Sequence, residues 1–127
     1  MKKSVATKWV AALRSGKYRQ GKRRLRVAGE TRRQDSFCCL GVLCDVYRTE
    51  TGKGRWRLGA FEAEADVGSA AWTPDAVMAW AGLGSCNPEV LSQDPSTHGT
   101  ALVEFNDIHG KTFAEIADLI EAHWETL

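Results

Sequence analysis

Apolar positions recur at helical spacing in four stretches of the chain. Ala6, Trp9, Val10 and Leu13 fall at i, i+3, i+4 and i+7 and predict an amphipathic helix over residues 5–15, with Gly16 placed to stop it. Phe37, Leu40, Leu43, Cys44 and Tyr47 make a second stripe over residues 37–48, widened by Cys39, Val42 and Val46. A helix apolar nearly all round belongs at the centre of a fold. Asp35 or Ser36 offers it an N-cap acceptor. Gly41 inside it costs about 1 kcal/mol relative to Ala, which implies close approach by another backbone. A third helix is predicted from Thr73, with Pro74 at its first position, Asp75 in its first turn, Val77, Trp80 and Ala81 facing inward, and Gly82 as terminator. The fourth opens on a capping box, Thr112-Phe113-Ala114-Glu115, and repeats Phe113, Ile116, Ala117, Ile120, Trp124 and Leu127 on one face, opposite Asp118, Glu121 and Glu125.

Between these helices the pattern is shorter in period. Tyr18, Leu25 and Val27 have strand character and Gly21 marks a turn, which fits a short hairpin or an extended arm. Residues 28–34 read as loop. Alternation over residues 55–58 and again over 61–67 predicts a hairpin turning at Gly59-Ala60. Its acids Glu62, Glu64 and Asp66 would share one face, read as solvated, with a hard-cation site as the alternative. Residues 86–100 are rich in Asn, Pro, Ser and Gly and read as irregular. A short element over 101–105 leads into Asn106-Asp107, read as a turn. The expected fold is α+β: a single domain over residues 1–127, mainly helical, with about four helices and one or two small β-hairpins. No apolar run approaches the ~18 residues of a membrane span. Lys8 interrupts the N-terminal apolar stretch, so no secretory signal is expected and the expected location is cytoplasmic.

Charge changes this picture more than composition does. Residues 1–33 hold twelve Lys/Arg and one acid, Glu30, a balance of +11; residues 34–127 hold five Lys/Arg and fifteen acids, a balance of −10. A field that uneven attracts an anion locally, or pairs basic and acidic segments within or between copies. Lys17, Arg19, Lys22, Arg23, Arg24 and Arg26 crowd one segment. Arginine matches phosphate in a bidentate way, and Tyr18, Trp56 or Trp72 could stack on a base. Trp9, Trp80 and Trp124 lie on helix stripes and read as core. The acidic remainder would repel DNA, so a finite nucleotide-like ligand suits the pattern better than nucleic acid. Cys38, Cys39, Cys44 and Cys86 include no C-x-x-C pair and read as reduced thiols, mostly core; no metal ligand set and no cofactor are expected. Gly110-Lys111-Thr112 ends like a phosphate loop, but position 106 is Asn where that motif needs Gly. The start of the final helix remains a candidate anion site through its amides.

Four stretches taken in order carry a resemblance: Trp9 to Tyr18 (WVAALRSGKY), Phe37 to Asp45 (FCCLGVLCD), Pro74 to Val77 with Trp80-Ala81-Gly82-Leu83, and Asn106-Asp107 followed by Gly110 to Ala117 (GKTFAEIA). The chain resembles small, functionally unassigned proteins encoded by bacteriophages, and its Cys-x-x-Gly helix, Asn-Asp pair and capped last helix resemble a bacterial domain family of unknown function. The phage resemblance implies three roles: inhibiting host machinery, binding nucleic acid, or sequestering nucleotide signals of bacterial immunity as an oligomeric sponge.

These readings converge on an expected non-enzymatic, anti-defence binding protein of phage type, in the host cytoplasm, forming a homo-oligomer and holding a small anionic ligand through Lys17, Tyr18, Arg19, Lys22, Arg23, Arg24, Arg26, Trp56 and Trp72. One alternative is a papain-like enzyme using Cys38 or Cys39, with His98 or His109 as base and Asn106 or Asp107 orienting it. Another is an inhibitor that binds a host protein or nucleic acid.

Overall fold

The first apolar stripe folds as predicted: in the computed structural model, which describes residues 1–64 and 68–127, helix α1 spans Lys3–Arg14. Val5, Ala6, Trp9, Val10 and Leu13 are buried. Trp9 is fully buried and its indole Nε1 donates to the Cys39 carbonyl at 2.9 Å, so the one polar atom of a large core side chain is satisfied. Helix α1 lies chiefly against α5 (Phe113–His123) and also against α2 (Cys39–Thr51).

Helix α2 is the centre of the fold. Cys39 through Cys44, Val46 and Tyr47 are all buried in it, as a helix apolar nearly all round requires. It begins two residues later than its apolar pattern suggests, with Cys38 as N-cap. Ser36–Phe37 instead form strand β3, flanked by β1 (Arg19–Gln20), parallel to it, and β2 (Arg26–Val27), antiparallel to it. Backbone pairing on both sides holds Ser36 and Phe37 extended, and the Asp35 carboxylate, free of any capping task, bonds Arg26 and Gly29. Segment 17–27 is thus an arm whose two strands are separated by β3 rather than paired as a hairpin. A single-turn 3₁₀ helix, Arg32–Gln34, interrupts the polar loop before β3.

Strands β4 (Arg55–Arg57) and β5 (Ala60–Glu62) pair in the expected hairpin, with Trp56 opposite Phe61. The turn is Leu58-Gly59, one residue earlier than the pattern suggests. Both residues have positive φ, +50° and +81°, as the favoured two-residue turn demands. Glu62 pairs with Arg55 and Arg57, and Glu64 with Lys53; Asp66 and the rest of the predicted 61–67 strand beyond Glu64 lie outside the described residues. Helix α3 (Asp75–Ala81) starts one residue later than expected, because Pro74 is its extended N-cap. Gly82 ends it in the left-handed conformation. Trp80 is half-buried, set edge-on to Tyr47.

The segment read as irregular contains a small antiparallel pair, β6 (Glu89–Val90) with β7 (Thr100–Ala101). Ala101 is the N-cap of a six-residue helix, α4 (Leu102–Asp107). Asn106-Asp107 therefore lie in the last turn of a helix, not in a loop before one. Helix α5 carries the predicted capping box: the Glu115 amide donates to Thr112 Oγ1 at 3.2 Å and the Thr112 amide to Glu115 Oε1 at 3.1 Å. The helix stops at His123, so Leu127 is buried from the following turn rather than from the helix stripe. The fold is α+β, with five helices and three small sheets among the described residues.

Candidate functional site

The basic arm is fixed in place by its backbone and by one buried amide. Leu25 is fully buried, its amide donates to the Ala70 carbonyl at 2.8 Å, and its own carbonyl lies directly against Gly41, where a Cβ would overlap it. The compensation expected for a glycine in α2 is this contact. Earlier in the arm, Gln20 Nε2 donates to Asn106 Oδ1 at 3.0 Å and to the Lys111 carbonyl at 2.8 Å, while Gln20 Oε1 accepts from the Phe113 amide at 3.0 Å. Asn106, fully buried, donates through Nδ2 to the Gly21 carbonyl and to Asp107 Oδ1. Asp107 Oδ2 in turn accepts the Arg23 amide at 3.0 Å, with Arg23 at a φ of +69°. The Asn-Asp pair and the start of α5 are therefore occupied by the arm. Two of the amides considered from sequence as an anion site, those of Phe113 and Glu115, already serve Gln20 and Thr112.

What this clamp presents is a cationic groove of about 530 Å³, walled by Lys22, Arg23, Arg24 and Arg26 with Val27, Ala28 and the hairpin tip Leu58-Gly59. Lys22, Arg23 and Arg24 are exposed and make no ion pair among the described residues. Arg26 differs. Its guanidinium bonds Asp35 Oδ2 at 2.5 and 3.1 Å and lies 5.6 Å from the centre of the Trp56 ring. Asp35 is held below its ordinary pKa by the Gly29 amide and by Arg26.

A second groove, about 500 Å³, shares Arg26. Arg32, Arg48 and Arg55 join it, with Phe37, Trp56 and Asp45 among its walls. Asp45 organises this side: it accepts from Tyr18 Oη at 2.7 Å, from Trp56 Nε1 at 3.0 Å and from Arg48 Nε at 2.9 Å. Burial raises its pKa, but bonds from Arg48, Tyr18 and Trp56 outweigh that and leave it lowered. Tyr18 is pushed the other way, up, by burial and by its bond to Asp45.

Of the nine residues singled out from sequence, Lys22, Arg23, Arg24 and Arg26 share one groove, and Trp56 adjoins through Arg26. Trp56 is packed edge-on between Phe37 and Phe61, so it serves as a wall rather than an open stacking platform. Tyr18 packs edge-on to Phe37 and, with Lys17, lines a separate depression beside Lys8 and Glu50. Arg19 is exposed on β1, and Trp72, half-exposed, borders neither basic groove. Arg32, Arg48 and Arg55 lie outside the basic segment that stands out in sequence; only tertiary folding brings the last turn of α2 and the start of β4 to Arg26.

The thiols face a different environment. Cys38, Cys39 and Cys44 are buried; burial pushes Cys38 up to about 11 and the other two well above the ordinary thiol range. A nucleophilic thiol needs the opposite shift. His109 packs on Phe105, and His98 Nδ1 lies 2.7 Å from the Ser92 carbonyl. Among the described residues no three His, Cys, Asp or Glu side chains cluster as a metal site would require, and no helix is long and apolar enough to cross a membrane.

No curated protein and no solved structure matches the chain. The model of one family, described as a domain of unknown function (DUF8296), matches residues 1–124, and the chain belongs to that family.

Proposed function

We propose that this protein is a non-enzymatic binder that sequesters a small anionic, nucleotide-like ligand, as the phage resemblance of its sequence suggests for a sponge of immune signals in the bacterial cytoplasm. The observation that carries the reading is the convergence of Lys22, Arg23 and Arg24 on one groove with Arg26, the side chains of the first three making no ion pair among the described residues. Clustered cations repel one another, and an anionic guest relieves that repulsion while gaining charge-assisted hydrogen bonds. Arg23 adds a second cue. A non-glycine residue in left-handed backbone is held there at a cost, and such strain concentrates where a side chain must be aimed. Assembly into a homo-oligomer belongs to the same reading, supported by the uneven charge of the chain.

Native mass spectrometry of protein purified from bacterial cells tests this. The wild-type chain is expected to carry extra mass from a retained anion. The variant with Lys22→Glu, Arg23→Glu and Arg24→Glu is expected to lose it while keeping its circular dichroism spectrum. Arg26 is left intact because its loss would strand Asp35, which is 7% exposed. Ligand retained by the folded triple variant would overturn the reading.

A further inference from the structure

Two basic grooves that share one immobilised arginine constrain what kind of anion fits. A mononucleotide concentrates its charge at one end and needs one cationic site. Here cations stand on both sides of Arg26: Lys22, Arg23 and Arg24 in one groove, Arg32, Arg48 and Arg55 in the other. Arg26 itself cannot swing far, being bonded twice to Asp35 and stacked over Trp56. It is a fixed wall shared by both grooves. In the second groove Arg48 and Arg55 are already balanced by Asp45 and Glu62, so Arg32, which lies near Asp35 but makes no ion pair among the described residues, is its least engaged cation.

We propose, building on the function above, that the ligand carries two phosphate groups set apart on a common frame, as a dinucleotide does, and lies across both grooves with one phosphate on each side of Arg26. The apolar walls differ accordingly. Val27 and Leu58 flank the first groove, and Phe37 and Trp56 the second, so each half offers a nonpolar surface to the sugar or base beside its phosphate. Leu58, 96% exposed at a positive φ, gains cover when the first half fills.

Fluorescence anisotropy with labelled probes decides the matter: AMP and GMP, their cyclic dinucleotides, the linear dinucleotide pApA, and an eight-residue oligothymidylate. Two variants separate the grooves, Lys22→Ala/Arg24→Ala for the first and Arg32→Ala for the second, none of these residues having an ion pair to break. A dinucleotide is expected to bind at least about tenfold tighter than either mononucleotide, Arg32→Ala to weaken it by about tenfold, the size of one lost charge-assisted contact, and the double variant to weaken it by at least as much. Equal affinity for mono- and dinucleotides, or a dinucleotide indifferent to Arg32→Ala, would overturn the two-groove proposal while leaving anion binding intact. Tightest binding of oligothymidylate would overturn it in favour of single-stranded nucleic acid. Failure of every probe to bind the wild type would remove the proposed function together with it.

Discussion

Gly41 shows how one position can reverse an ordinary preference. In the interior of a solvent-facing helix, Gly→Ala stabilises by about 1 kcal/mol. Here a methyl group would drive into the Leu25 carbonyl, and backbone cannot rotate away as a side chain can. Gly41→Ala is therefore expected to destabilise the protein, by about 1–3 kcal/mol as overpacking does, read as a lowered urea midpoint. The same variant displaces the arm at Leu25 and should weaken anion retention along with stability. The close approach at Gly41 was readable from sequence, since a glycine amid strong helix formers needs a reason. Which backbone approaches was not, because Leu25 sits in a segment whose visible feature is charge. Asn106 and Asp107 illustrate the converse. Their residue types favour turns, yet burial of Leu102 and Phe105 and the demands of Gln20, Gly21 and Arg23 hold them in a helix.

Among the elements, the small sheet β1-β3-β2 depends most on charge. Asp35 stands just before its central strand and ties Arg26 of β2 and the Gly29 amide together. Its pKa, like that of Asp45, lies below the ordinary value of 3.8. A carboxylate with a lowered folded-state pKa stabilises fully above its unfolded value, and that contribution is lost as pH falls through the folded value. Thermal stability is expected to be flat near neutrality and to drop below about pH 4, with Asp35→Asn lowering the neutral plateau and softening the drop. A variant with an unchanged acid profile would show that the Arg26–Asp35 pair contributes nothing to it. Helices α1, α2, α3 and α5 were legible because their stripes and caps are local, whereas the six-residue α4 is too short to show a stripe and ends in the turn-favouring Asn106-Asp107. The helix α2 start, the pairing of β1 and β2 through β3, and the β6–β7 pair were not, because two-residue strands carry almost no periodicity and are defined by partners far along the chain.

For the whole molecule, folding heals part of the charge division seen along the sequence. Three of the twelve early cations meet later acids: Lys8 with Glu50, Arg14 with Asp118 and Glu121, Arg26 with Asp35. The others make no ion pair among the described residues, and the candidate site draws on this surplus. An assembly held by the remaining imbalance would loosen in salt. Sedimentation velocity is expected to show species larger than the 14.0-kDa chain at ~50 mM salt and the single chain at ~500 mM, where screening shortens to a few ångströms. A single-chain species at both would tie the surplus to ligand alone. The link from Asn106 through Gln20 to the head of the last helix has a further result. A synthetic peptide copying residues 17–27 would bring the same positive charges to an anion with no preset arrangement, since the template that spaces them is made by other parts of the polypeptide, from Asp35 to Phe113.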